Sequence, residues 1–150
     1  MQNERSSAAQ DVGKWVSVIL RVAIASLFLT AAVSKLKGGS ASINQTVQGI
    51  QAVFRDTWLP APLVTFQAWA TLAVEPLIVV WLISGYRLKL GWIVTGLFLT
   101  TLSFGMAVAG KYDVASANYT YVLMACAGLY VSHFDCFAID ALVCKRAASE

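Results

Sequence analysis

Four stretches of this chain stay apolar for the length a bilayer demands, and its polar residues gather mostly between them. A spanning helix needs about 20 mostly apolar residues at about 1.5 Å each. Residues 15–36 meet this with Arg21 and Lys35 as their charges, and residues 63–83 with Glu75 alone. Residues 90–110 carry no charge, and residues 114–134 lack Asp, Glu, Lys and Arg. The pattern predicts an all-α fold: a four-helix integral membrane bundle, one domain over residues 1–150.

The connections differ in kind. Residues 84–89 and 111–113 are brief, which makes the helices they join antiparallel neighbours. The first connection is long, and Ile43, Val47, Ile50 and Phe54 recur along it at spacings of four, three and four. Asn44, Gln45, Gln48, Gln51 and Arg55 lie between them, so about residues 41–55 form an amphipathic helix lying in the membrane interface. Gly38, Gly39 and Ser40 supply a hinge and N-cap before it. Trp58 suits the headgroup level, and Pro62 falls near the first turn of the second span.

Composition agrees with a lipid solvent. The chain is 58% apolar and 13% charged, with mean hydropathy +0.67. A soluble domain is roughly 45–50% apolar and about 25% charged. The net charge of +3 comes from scattered residues without a basic run, which gives nucleic-acid binding no support. Arg21 interrupts the place where a cleaved signal would need an unbroken apolar core, so the first helix is read as retained. On the side of both termini stand Arg5, Lys14, Arg87, Lys89, Lys145 and Arg146, against Lys35, Lys37, Arg55 and Lys111 on the other. Six against four places both termini in the cytoplasm and the amphipathic helix outside.

Cys126, Cys136 and Cys144 form neither a disulfide framework nor a zinc site, and no metal ligand set is expected. There is no GxGxxG, P-loop, HExxH or nucleophile elbow, and one histidine cannot serve a Ser/His/Asp set. The chain is therefore not expected to be catalytic alone.

Charges inside a bilayer are rare and usually paired, which makes Arg21 and Glu75 the first candidates for chemistry. Arg21 lies about 9 Å and Glu75 about 13 Å from the same end of their antiparallel helices, so the two are expected to face each other. Gln67, Thr71 and Glu75 fall at i, i+4 and i+8, giving the second span a polar face that must point inward. Pro76 frees the carbonyl of Leu72, placing a kink and an acceptor beside the carboxylate. The pair reads either as a proton or ligand site or as an internal brace that fixes helix pairing. Lys35, at the outer boundary, is expected to snorkel to water.

In the fourth span Tyr119, Leu123, Cys126, Tyr130 and His133 share one face. That face fits helix packing, the commoner use of such a stripe, and alternatively a quinone or lipid pocket. His133 could ligate a haem or pigment, although a lone interfacial histidine is more often a hydrogen-bonded side chain. Gly96, Thr100, Ser103, Ala107 and Gly110 offer the third span a small-residue packing seam.

The order of these features resembles DoxX-like membrane proteins (the DoxX/DoxD/MauE type). Arg21 through Ala31, Ala32, Val33, Ser34, Lys35 and Leu36 is similar to that family's first helix. Phe54, Trp58-Leu59-Pro60, Ala73-Val74-Glu75-Pro76-Leu77 and Ser84-Gly85-Tyr86-Arg87 follow in the family's order, so the likeness covers residues 16–140. The resemblance implies a four-helix bundle of the bacterial plasma membrane associated with redox systems. An example is the membrane subunit of thiosulfate:quinone oxidoreductases, with Arg21, Lys35 and Glu75 at the family's polar positions. The methylamine-utilisation branch carries a Cys-x-Cys element near the last loops that this chain lacks, which argues against thiol–disulfide chemistry.

Three functions follow as expectations. The first is a small membrane subunit or accessory of a quinone-linked redox complex, with Gln67, Tyr119, Tyr130 and His133 as candidate cofactor contacts. The second is an assembly module that docks on other membrane subunits and binds no substrate. The third is a small transporter, the weakest because no internal repeat or discontinuous helix pair is present.

Overall fold

The computed structural model describes residues 2–135, so Cys136, Cys144, Lys145 and Arg146 lie outside the described residues. The elements are helices throughout: α1 (Gln2–Leu36), α2 (Gly39–Val53), α3 (Ala61–Ser84), α4 (Leu88–Val108) and α5 (Tyr112–Val131), with a 3-10 turn at Ser132–Phe134. Among the described residues four stretches are long and apolar enough to cross a membrane, namely Asp11–Leu36, Ala61–Ser84, Leu88–Val108 and Tyr112–Phe134. They are the four spans expected from the apolar pattern, each boundary shifted by a few residues. α1 itself extends well before the span, through the polar leader.

The chain is a multi-pass membrane protein with an inverted surface. Leu63, Phe66, Trp69, Leu77, Val80 and Ile83 make the outer face of α3 wholly apolar and exposed, as contact with acyl chains requires. The interior joins Ile24 and Phe28 of α1, Ile78 and Leu82 of α3, Trp92 and Leu99 of α4, and Ala125 of α5. The broadest contacts are α4 with α5 and α1 with α3, while α3 meets α4 over a smaller surface. The turn between α3 and α4 is nonetheless tight: Gly85 takes the left-handed conformation at φ 70° and donates its amide to the Trp81 carbonyl. Trp81 then donates its indole N–H to the Tyr86 carbonyl at 2.6 Å.

α2 is amphipathic as its spacing predicts. Val47, with Ile43 and Ile50, packs on Ala68 and Leu72 of α3, while Asn44, Gln45, Gln48 and Gln51 are exposed. Ser40 does not cap it; Gly38 holds the N-cap position without a side-chain bond, and Gly39 at φ 64° makes the bend. The small-residue seam expected on α4 is also corrected. Ser103 is fully buried and Gly96 faces Ala125, but Thr100 is exposed and Gly110 forms the following turn at φ 72°. A glycine of α5 makes a tight contact instead: a Cβ at Gly128 would lie 2.5 Å from the Trp92 ring.

Candidate functional site

The buried polar side chains form two tiers. At the end of the bundle that holds α2, the Lys35 ammonium donates to Glu75 Oε1 at 2.5 Å. Glu75 is 4% exposed, and its second oxygen, Oε2, is buried without a hydrogen-bond partner. At the Gly85 end, Arg21 donates from Nη1 to Asp135 Oδ2, from Nε to the Leu82 carbonyl and from Nη2 to the Ile83 carbonyl, each at 2.8 Å. Ser17 adds a hydroxyl bond to the same Asp135 oxygen at 2.9 Å. The last carbonyls of a helix have no partner within it and carry its negative dipole end, so a guanidinium is well matched to the C-terminus of α3.

This corrects the expected Arg21–Glu75 pair. Axial rise places the two residues at overlapping depths, but helical side chains lean toward their own N-terminus. On α1 that lean sends Arg21 toward the Gly85 end; on α3, running the other way, it sends Glu75 toward the α2 end. The two diverge. The same lean carries the Lys35 stem inward from the α2 end, so Lys35 does not snorkel outward but meets Glu75, and its side chain is only 23% exposed. Asp135 was missed because it falls just past the fourth apolar stretch. The start of a first span and the end of a fourth lie on one side of a membrane, and that topology was the available signal.

The inward polar stripe of α3 is present. Thr71 is buried and bonds the Gln67 carbonyl at 2.8 Å, and Glu75 follows one turn on. α3 runs unbroken through Pro76, whose missing N–H leaves the Leu72 carbonyl without its helical donor. Gln67, at the stripe's outer end, lines a cavity of about 240 Å³ enclosed by Ile50 and Phe54 from the α2 side, Leu63 of α3, and Thr101 and Phe104 of α4. The walls are apolar apart from Gln67 and Thr101. Thr101 bonds its own helix, whereas Gln67 Nε2 is buried with no partner.

The other candidates are not brought to this cavity. Tyr119 and Tyr130 are exposed on the outward face of α5, as is Cys126. His133 sits in the turn after α5, its Nδ1 2.7 Å from the Tyr130 carbonyl and its ring stacked near Phe134. Among the described residues no group of three His, Cys, Asp or Glu side chains could hold a metal. The site is thus a mostly apolar cavity lined in part by Gln67, whose amide nitrogen is buried and unpaired; Glu75, with one unpaired oxygen, lies two turns further along α3 and is not part of the lining.

A family model described as methylamine utilisation protein MauE matches residues 13–117, more than two thirds of the chain. No curated protein and no solved structure matches it. The matched stretch runs from the first span into α5 and takes in Arg21, Lys35, Gln67 and Glu75, while Asp135 lies beyond it. With its four spans in place, the chain belongs to the MauE family of DoxX-like membrane proteins.

Proposed function

We propose that this protein is a membrane accessory subunit of a quinone-linked redox complex, of the kind the thiosulfate-oxidation likeness suggests, in a bacterial plasma membrane. The observation that carries the reading is Gln67, which lines the apolar cavity and whose buried amide nitrogen has no hydrogen-bond partner. An unmet buried donor costs about 1–3 kcal/mol, which a carbonyl oxygen in the cavity would recover once the Gln67 side chain turned its amide toward it. Pockets for complete drug-sized ligands run roughly 300–1,000 Å³. A space of about 240 Å³ therefore suits a single substituted ring whose isoprenoid tail leaves into lipid. A quinone combines those features: a flat apolar ring, carbonyl acceptors and a tail soluble only in the bilayer.

In this reading electrons would come from a partner subunit. The family's description ties its members to methylamine utilisation, which supports a redox setting and leaves the partner to experiment. The test is photo-affinity labelling of the purified protein with an azido-quinone. Adducts on residues 50–67 and 101–105 that diminish in Gln67→Leu support the proposal; labelling spread evenly over the lipid-facing surface of α3 overturns it.

A second reading, an assembly module that holds other membrane subunits, is favoured by the exposed polar face of α5.

A further inference from the structure

A cavity of about 440 Å³ lies between α1 and α3 at the Gly85 end of the bundle, nearly twice the volume of the one lined by Gln67. Trp15, Val18, Arg21 and Val22 of α1 wall it on one side, Leu82 and Ile83 of α3 on the other. Trp15, Val22 and Ile83 are each at least 62% exposed, so the rim is membrane surface and an occupant enters sideways from the bilayer. On α1 the apolar wall recurs at i, i+3 and i+7, about 10 Å along one flank of the helix, which suits an acyl chain lying beside it.

The polar groups of this lining are donors. Arg21 has five N–H groups and commits three of them, to Leu82, Ile83 and Asp135, which leaves two. The Trp15 indole N–H has no partner among the described residues. The carbonyls of Leu82 and Ile83 are already taken by Arg21. A group that settles here must therefore bring acceptor oxygens, as a phosphodiester does, whereas a headgroup that only donates finds nothing to receive its hydrogens. Depth points the same way. The guanidinium bonds the last turn of α3, and 24 residues at about 1.5 Å each outrun about 30 Å of hydrocarbon, so that turn reaches the headgroup layer.

Asp135 matches the charge of Arg21, which leaves that residue to supply direction rather than net charge. Net charge comes from Arg87 and Lys89, four and six residues past Ile83 across the tight turn. Neither has an acidic partner among the described residues, whereas Lys14 is matched by Asp11. A donor-lined cleft between spans, with uncompensated cations at the same end, is the pattern that holds anionic headgroups.

We propose that this cleft is a specific site for one anionic phospholipid, its phosphate oxygens on Arg21 and Trp15 and an acyl chain along Val18 and Val22. The site uses no residue of the Gln67 cavity and stands apart from the quinone reading.

Native mass spectrometry of the delipidated protein in detergent, titrated with phosphatidylglycerol and separately with phosphatidylcholine, tests it. One phosphatidylglycerol should bind in preference to phosphatidylcholine by roughly tenfold, the share that two basic side chains near a headgroup provide. Val22→Trp, which fills the cleft from its exposed rim, should abolish the one-lipid complex. Arg87→Gln/Lys89→Gln, both at exposed positions, should keep the complex and lose the preference. A phosphatidylglycerol carrying a diazirine in its acyl chain should label residues 15–22 and 82–83. A series of equivalent bound lipids with no preference, a one-lipid complex unchanged by Val22→Trp, or a preference that survives Arg87→Gln/Lys89→Gln would each overturn the site. So would labelling spread over the other lipid-facing surfaces, or displacement of the bound lipid by a short-chain quinone.

Discussion

Removing Lys35 should damage the protein more than removing the charge it neutralises. Glu75 has a side chain 5% exposed, and one of its oxygens already lacks a partner. Lys35→Met would leave both oxygens unmet in the bundle, and an uncompensated buried charge of this kind costs about 3 kcal/mol or more. The reverse change differs because the Lys35 side chain is 23% exposed and sits at the end of α1. After Glu75→Gln the flexible lysine stem can swing its ammonium to water, so the loss should be about 1 kcal/mol. The double variant Lys35→Met/Glu75→Gln should cost less than the two single changes together, with a coupling of about 1.5 kcal/mol. Reversible unfolding in mixed micelles, followed by tryptophan fluorescence, measures all three. Equal losses from the two single variants, or strict additivity, would refute the argument. So would a coupling of Glu75 to Arg21 as large as that to Lys35, because the structure predicts that Arg21–Glu75 variants add within about 0.5 kcal/mol.

Other outcomes follow from the same geometry. Arg21→Lys keeps the charge but cannot serve Asp135 and the carbonyls of Leu82 and Ile83 at once, so it should lose about 1–2 kcal/mol in the same unfolding assay. Gly128→Ala places a methyl against the Trp92 ring and should destabilise by about 1–3 kcal/mol, partly restored by Trp92→Phe. Gly85→Ala, at φ 70°, should lower the unfolding midpoint by about 1 kcal/mol of stability.

The spans and the amphipathic helix were legible because bilayer length and helical period are imposed by solvent, and each leaves a repeated mark. The inward aim of Gln67, Thr71 and Glu75 was legible for the same reason. Partner choice was not. It turned on the tilt of the Cα–Cβ bonds, which sends Arg21 and Glu75 apart and brings Lys35 inward, and a reading of axial rise alone omits that direction. Asp135 escaped because it follows the last apolar residue and its partner is 114 positions away. The cavity belongs to three helices at once, with Phe54 reaching across to Gly105, and periodicity along one helix cannot register that. Of the stripe expected on one face, Tyr119, Leu123, Cys126 and Tyr130 lie on α5 and His133 falls in the turn beyond it; whether that face turned inward or outward depended on how α4 and α1 close around α5.

The reading of this protein as a quinone-binding accessory turns on one hydrogen bond, from the Gln67 amide to a ring carbonyl. Infrared difference spectroscopy of a ¹³C-carbonyl-labelled quinone reconstituted with the protein observes that bond directly. The account predicts a carbonyl stretch moved to lower frequency relative to the same quinone in protein-free lipid, and loss of that displaced band in Gln67→Leu. A spectrum identical to quinone in lipid, or a displaced band that survives Gln67→Leu, would contradict it.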